Sequence, residues 1–215
     1  MIKSSLNRLT LFMFYTLAIK TEKSSPVFLD GVLTESFSAR AYNEGMSGDW
    51  YYAEPGETLA ALPSKLVFIT KDKGYDFDFR TKFGGHIVSE RFLSYFKSMK
   101  TSKWEIAELT IVNPKGDQVC LKKYHFIRQV MQEKESVDII NLERSAINYR
   151  NNGDIKNILS LAIREEVKLD FFSVFEISLL GYTFLSSNAA EAIQKEDWKG
   201  FELVSTDKIG TVRHA

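Results

Sequence analysis

Apolar positions along this chain cluster into short runs, and most of those runs read as strands. Residues 9–19, "LTLFMFYTLAI", are rich in Phe, Tyr and Thr and stop at the turn-forming "KTEKSSP". That pattern predicts a buried strand. Further strands are predicted at 49–53 ("DWYYA"), 65–70 ("KLVFIT"), 76–80 ("DFDFR"), 105–112 and 118–127. In 75–79, "YDFDF", strict alternation puts Asp76 and Asp78 on one face, expected to be the solvent face, and Phe77 and Phe79 on the other. The turn signal "NPKGD" (113–117) joins two strand-like runs into an expected hairpin. "GMSGD" (45–49) and "RNNGD" (150–154) read as loops, and the charged segment 132–145 as the connection between halves.

One passage occurs twice. "GGHIVSERFLSYFK" (84–97) and "GYTFLSSNAAEAIQ" (181–194) align Gly84 with Gly181 and Ser89 with Ser186, at an offset of 186 − 89 = 97. Downstream, "WEIAEL" from Trp104 is echoed by "WKGFEL" from Trp198, at 198 − 104 = 94, which implies a three-residue deletion in the second connecting loop. Ser89 and Ser186 are placed to cap a helix through their hydroxyls. Phe92, Leu93, Phe96 and Met99 then share one helical face, as do Ala189, Ala190 and Ile193. The unit is strand, Ser-capped helix, strand. Its recurrence predicts an α+β, strand-rich fold. Residues 1–130 would form an N-terminal lobe with the first unit and 131–215 a C-terminal lobe with the second, or both one compact domain.

Composition narrows the function classes. At 215 residues with 44% apolar and 26% charged content, the chain has the make-up of an ordinary globular protein. Its 28 basic and 28 acidic residues balance, so no net field points to nucleic acid or an anionic membrane. The one cysteine, Cys120, excludes an intramolecular disulfide and fits a reducing compartment. Lys3 and Arg8 before the 9–19 run imitate a signal peptide, but no small-x-small cleavage site follows. The run is also far short of the roughly 20 residues a membrane-spanning helix needs.

Candidate chemistry has a structural alternative in each case. His86 lies three residues before Ser89, which would suit a base and nucleophile, yet a capping serine is occupied by the helix terminus. Cys120 and His125 fall on opposite faces of a strand, and no other cysteine completes a zinc site. Glu108 and Glu202 take matching places in the repeat. No phosphate loop, dinucleotide fingerprint, calcium loop or zincin motif is present, so no cofactor or metal is expected. An enzyme whose active site is assembled from distant residues stays open. Aromatics and lysines interleave in "KSMKTSKW" (97–104) and "LKKYHFIR" (121–128), which would suit stacking on nucleic acid, but the balanced charge argues against it.

"FGGHIVSERFLSYF", "VDIINLERS" (137–145) and "FFSVFEISLLGYTFLSSNAAEAIQKEDWKGFELV" (171–204) resemble immunity proteins of bacterial polymorphic-toxin and contact-dependent inhibition systems. The resemblance covers about residues 66–205; Ser187 stands where that family's pattern has Glu. It implies a cytoplasmic binding protein without catalysis, whose partner is a cognate toxin domain and neither nucleic acid nor membrane. Oligomeric state is left open. Trp50, Tyr51 and Tyr52 are the aromatics expected to anchor the toxin, with core packing as their alternative role.

Overall fold

A computed structural model describes residues 13–45, 48–52, 59–130, 139–174, 179 and 181–211. Residues 9–12 of the first apolar run, Met46, Ser47, Ala53, 132–138 of the connecting segment and His214 lie outside them. The chain runs through β1 (Phe14–Ile19), β2 (Gly31–Thr34), the short helix α1 (Ala41–Glu44), β3 (Lys65–Thr70), β4 (Phe79–Lys82) and β5 (Gly85–Ser89). Helix α2 (Glu90–Phe96), β6 (Trp104–Val112) and β7 (Tyr124–Gln129) follow. Then come β8 (Ala146–Tyr149), β9 (Ile155–Ser160), β10 (Phe171–Phe172), β11 (Phe184–Ser186), helix α3 (Ser187–Gln194) and β12 (Phe201–Ser205).

The strands make a six-stranded sheet ordered β2-β3-β6-β7-β5-β4, a four-stranded sheet ordered β10-β11-β1-β12, and the ribbon β8-β9. The fold is α+β and strand-rich. Four strands of the larger sheet, β4-β5-β7-β6, repeat the order of the smaller, and every pair in both sets is antiparallel. Ser89 lies opposite Tyr124 in β7, as Ser186 lies opposite Phe14 in β1. β1 therefore does for the second unit what β7 does for the first, although it comes from the other end of the chain.

Pairing also corrects the alignment of the repeat. Trp104 faces Gln129 and Phe201 faces Ile19, so Trp104 corresponds to Phe201, and 201 − 104 = 97 keeps the offset of the serines. No deletion separates the serine from the following strand. By the same register Glu105, not Glu108, matches Glu202. Trp198 instead belongs to the loop before β12, where its ring lies 5.6 Å from that of Phe92. Identity of a single tryptophan misled the alignment, because ladder partners rather than residue names fix register.

The main core fills the space between the two units. Phe79, Val88, Phe92, Phe96 and Ile127 from the first meet Phe171, Leu185, Ala189, Ile193 and Leu17, their counterparts in the second. Matched residues approach one another, with the Phe79 and Phe171 rings 6.2 Å apart, so a quasi-twofold axis passes through this core. The larger sheet contributes Leu33, Phe68, Ile87 and Phe126 to a second core, which Trp50, Tyr75 and Phe77 complete. The smaller sheet packs Phe14, Phe172 and Phe184 against Ile140, Leu161, Ile163 and Ile209. Ile209 comes from a 3-10 turn, Thr206–Thr211, that follows β12.

Several local expectations shift. Asp49–Tyr51 form a turn, because Arg128 draws the Trp50 carbonyl inward and also holds the Ala60 carbonyl at 3.0 Å. β4 begins only at Phe79, and β7 only at Tyr124. The loop at 150–154 turns out to join two short exposed strands, β8 and β9, whose sequences "AINY" and "IKNILS" carry little pattern. The recurring glycines have a definite cause: Gly84 (φ 72°) and Gly181 (φ 93°) both occupy the left-handed region that side chains disfavour.

Candidate functional site

Each helix cap is held by an aspartate that the alternation pattern had assigned to solvent or had not singled out. Ser89 Oγ accepts from Phe92 N at 3.2 Å and donates to Asp78 Oδ1 at 2.7 Å. Ser186 Oγ accepts from Ala189 N at 3.3 Å and donates to Asp170 Oδ1 at 2.6 Å. In both, the serine N–H donates to the aspartate carbonyl, at 3.0 and 3.1 Å. The second carboxylate oxygen then crosses to the other unit. Asp78 Oδ2 accepts from Lys199 N at 2.9 Å, and Asp170 Oδ2 from Lys100 N at 3.0 Å. Asp78 N and Asp170 N answer by donating to the Lys199 and Lys100 carbonyls, at 2.8 and 2.7 Å. Asp78 is thus 2% exposed rather than on the solvent face, because four hydrogen bonds and Lys122 at 3.4 Å replace its water. The repeated dipeptide Asp-Phe, at 78–79 and 170–171, was the signal available in the sequence.

The units are tied together twice more near this clamp. Asp76 bridges Lys122 (2.7 Å) in the first unit and Lys199 (2.5 Å) in the second, and these bonds hold its carboxyl below the ordinary aspartate range. Arg80, 1% exposed, spends its guanidinium on the carbonyls of Lys20 (3.1 Å), Ser25 and Pro26 and on Ser25 Oγ (2.8 Å). Burial lowers its pKa to about 10. It anchors the segment that follows β1 to the first unit.

A pocket of about 390 Å³ opens where the turn of β4–β5 meets Ser173, Val174, Leu179 and Gly181. Thr81, Lys82, Gly84, His86, Trp104 and Gln129 line one side of it, and Ser173, Val174, Leu179 and Gly181 the other. His86 is 4% exposed; its Nδ1 lies 2.9 Å from Thr81 Oγ1 and its Nε2 3.4 Å from Thr183 Oγ1, while its ring stacks on Phe79. Gln129 Oε1 accepts from Ser173 N at 2.8 Å. Trp104 Nε1 is buried with no acceptor among the described residues.

The other residues singled out in the sequence separate into engaged and exposed. Trp50 is 3% exposed, with Nε1 donating to Glu35 at 2.9 Å; Tyr51 is half-buried against the Phe83 ring; Tyr52 is 62% exposed. Among the described residues Ser89 and His86 share no hydrogen-bond partner, since Ser89 serves the cap and His86 meets the two threonines. Cys120 Sγ accepts from Tyr75 N, and burial pushes its thiol up, whereas His125 pairs with Glu90 at 2.5 Å. In the second of the two basic stretches, Lys122 meets Asp76 and Asp78, and Arg128 meets Glu105. Among the described residues no group of three or more His, Cys, Asp or Glu is placed to hold a metal ion. Among them, too, no helix is long and apolar enough to cross a membrane.

No curated protein sequence matches the chain. A family model does, and it spans far more than the duplicated passages: it starts within β1 and ends just after the 3-10 turn, taking in both units and everything between. The match covers residues 17–212, and the chain belongs to the Immunity protein 43 family.

Proposed function

We propose that this protein binds a cognate bacterial toxin domain and neutralises it by occluding or distorting the toxin's active site, within the cytoplasm of the cell it protects. The observation that carries this reading is the family match over nearly the whole chain. The geometry supports a binder over a catalyst. The hydroxyl, imidazole and carboxylates that would have formed an active site hold a helix cap, two threonines and two loop backbones instead. Tyr52 is the exposed aromatic of the 50–52 trio and would contact the toxin; Trp50 and Tyr51 act behind it by holding the loop.

The test is co-expression with a candidate cognate toxin domain, followed by calorimetry on the purified pair. Growth should be rescued and a complex detected. Tyr52→Ala should weaken that complex by about 1–2 kcal/mol, the scale of an aromatic anchor at an interface rim or centre. Trp50→Ala should chiefly lower the unfolding temperature. Rescue of growth with no complex at any concentration would instead identify an enzymatic antidote.

A further inference from the structure

Arg128 is a buried cation that the duplicated plan does not call for. It lies opposite Glu105 in the β6–β7 ladder, and the matched pair in the second copy is Glu202 opposite Ala18. The second sheet forms the same ladder with a methyl group in that place. Exchanging a buried ion pair for apolar side chains often leaves stability unchanged or raises it, so stability alone is a weak reason for the guanidinium. Its partners supply a better one. Arg128 is 7% exposed, and its Nε donates to Glu105 Oε2 at 2.9 Å. Its terminal nitrogens donate to the Trp50 carbonyl, to the Ala60 carbonyl at 3.0 Å and again to Glu105 Oε2. Glu105 Oε1 accepts from Leu62 N at 3.3 Å. One ion pair thus takes three backbone groups from the two ends of a single loop. Ala60 N closes those ends by donating to the Asp49 carbonyl at 3.0 Å. Immediately after Trp50, the N–H groups of Tyr51 and Tyr52 donate back to the Gly48 carbonyl, at 2.9 and 3.2 Å. Tyr52, 62% exposed, stands at this fixed end.

We infer that Arg128 and Glu105 are positioning residues for toxin binding: they hold Trp50 and Ala60 on β6 and β7 so that Tyr52 is presented in one orientation before the toxin arrives. Both act through Tyr52. A segment ordered in advance loses less freedom on association, which is how preorganisation strengthens a complex. The planar fork of an arginine reaches several acceptors at once, whereas an ammonium on a flexible stem is a single point of charge. This deepens the reading of a toxin-binding protein and rests on it, including the contact assigned to Tyr52.

Arg128→Lys keeps the charge and loses the fork. Glu105→Gln keeps the shape and loses the charge, and it carries the test if thermal unfolding shows the first variant to be unfolded. Hydrogen exchange of the free protein is measured first. The Tyr52 and Ala60 amides should exchange about tenfold faster in the variant, while the β6 and β7 amides keep their protection. Unchanged exchange at Tyr52 and Ala60 overturns the assignment. Calorimetry then uses the toxin domain whose toxicity the protein relieves, in a double-mutant cycle with Tyr52→Ala. The variant should bind about tenfold more weakly when Tyr52 is present, and less than about twofold more weakly in the Tyr52→Ala background. A merely structural role does not produce that coupling. Equal losses in both backgrounds, or no loss in either, overturn the positioning role and leave the proposed function standing. Absence of a complex with the wild type overturns the proposed function and this inference with it.

Discussion

The two copies of the unit reach the same sheet order by different routes through the chain. In the first, β4, β5, α2, β6 and β7 follow one another, and the central strand is the last to come. In the second, β10, β11, α3 and β12 are consecutive, but the central strand is β1, from the start of the chain. The helices differ as well. α2 offers Phe92, Leu93 and Phe96 to the shared core, and α3 offers Ala189, Ala190 and Ile193. Large residues on one side meet small ones on the other, which is how two similar surfaces pack densely across an axis. The comparison teaches that the backbone plan and the aspartate clamps are common property, whereas side-chain volume and pocket polarity have been divided between the copies.

That division predicts unequal responses to equal changes. The largest gap should come from the helices: Phe96→Ala, which removes a ring 5.1 Å from Phe171, should cost about 3–5 kcal/mol, and Ile193→Ala nearer 2–3 kcal/mol. Chemical denaturation of both variants checks this, and equal losses would mean that the helices contribute alike. Next come the clamps. Asp78→Ala should cost about 3 kcal/mol, because it strands the Lys199 N–H and the Ser89 hydroxyl in a buried place, and Asp170→Ala, which is more exposed, about half that. The caps come third: Ser89→Ala and Ser186→Ala should each cost about 1 kcal/mol, or about 2–4 °C in unfolding temperature for a chain of this size, with toxin affinity unchanged. Intact stability with abolished protection in Ser89→Ala would return Ser89 and His86 to the list of functional groups.

The smallest effect is one of pH and belongs to the first copy alone. Two residues before the clamp stands Asp76, whereas Lys168 occupies that place before Asp170. Lys122 and Lys199 lower the folded-state pKa of Asp76. Its contribution is therefore fully present above the unfolded aspartate value near about 4 and is lost as pH falls through the lower folded value. Asp76→Asn should melt slightly below wild type at neutral pH, and the gap should close on acidification below about pH 4. A gap that widened in acid would contradict the pairing.

How far the fold could be read beforehand depended on whether its determinants are local. Ser89 and Ser186 announce their caps, and Gly84 and Gly181 their turns, because each acts on backbone only a few residues away. "KLVFIT" became β3 at the expected bounds, since a continuous apolar run between turns suits a strand buried on both faces. The assignment of Asp78 to solvent failed because alternation records which side a residue takes, not whether distant N–H groups are waiting there. Lys199, which lies 121 positions along the chain, is what makes that side dry. The resemblance over 66–205 likewise stopped short of β1, whose role in the second sheet is set by pairing with Phe184–Ser186 and Phe201–Ser205. The pocket was not legible at all: His86, Trp104 and Gln129 come from three strands, and only the register brings them together.

The position of β1 has a consequence for how the protein comes into being. As the chain leaves the ribosome, the first unit is complete in one stretch and is able to close as soon as β7 emerges. β1 is synthesised before all of it, yet Ile19 must wait for Phe201, which is 201 − 19 = 182 residues later. At the usual pace of about 5–20 residues per second, that wait lasts roughly 10–40 s. Until Phe184–Ser186 emerge, which is most of that wait, an apolar strand has both edges open and no ladder partner from its own sheet, the state most prone to pairing with a neighbouring chain. Arg80, by gripping the carbonyls of Lys20, Ser25 and Pro26, gives the finished first unit a means to hold that strand's exit in place until its partners arrive. Yield of soluble protein, more than final stability, is where loss of Arg80 should first be felt.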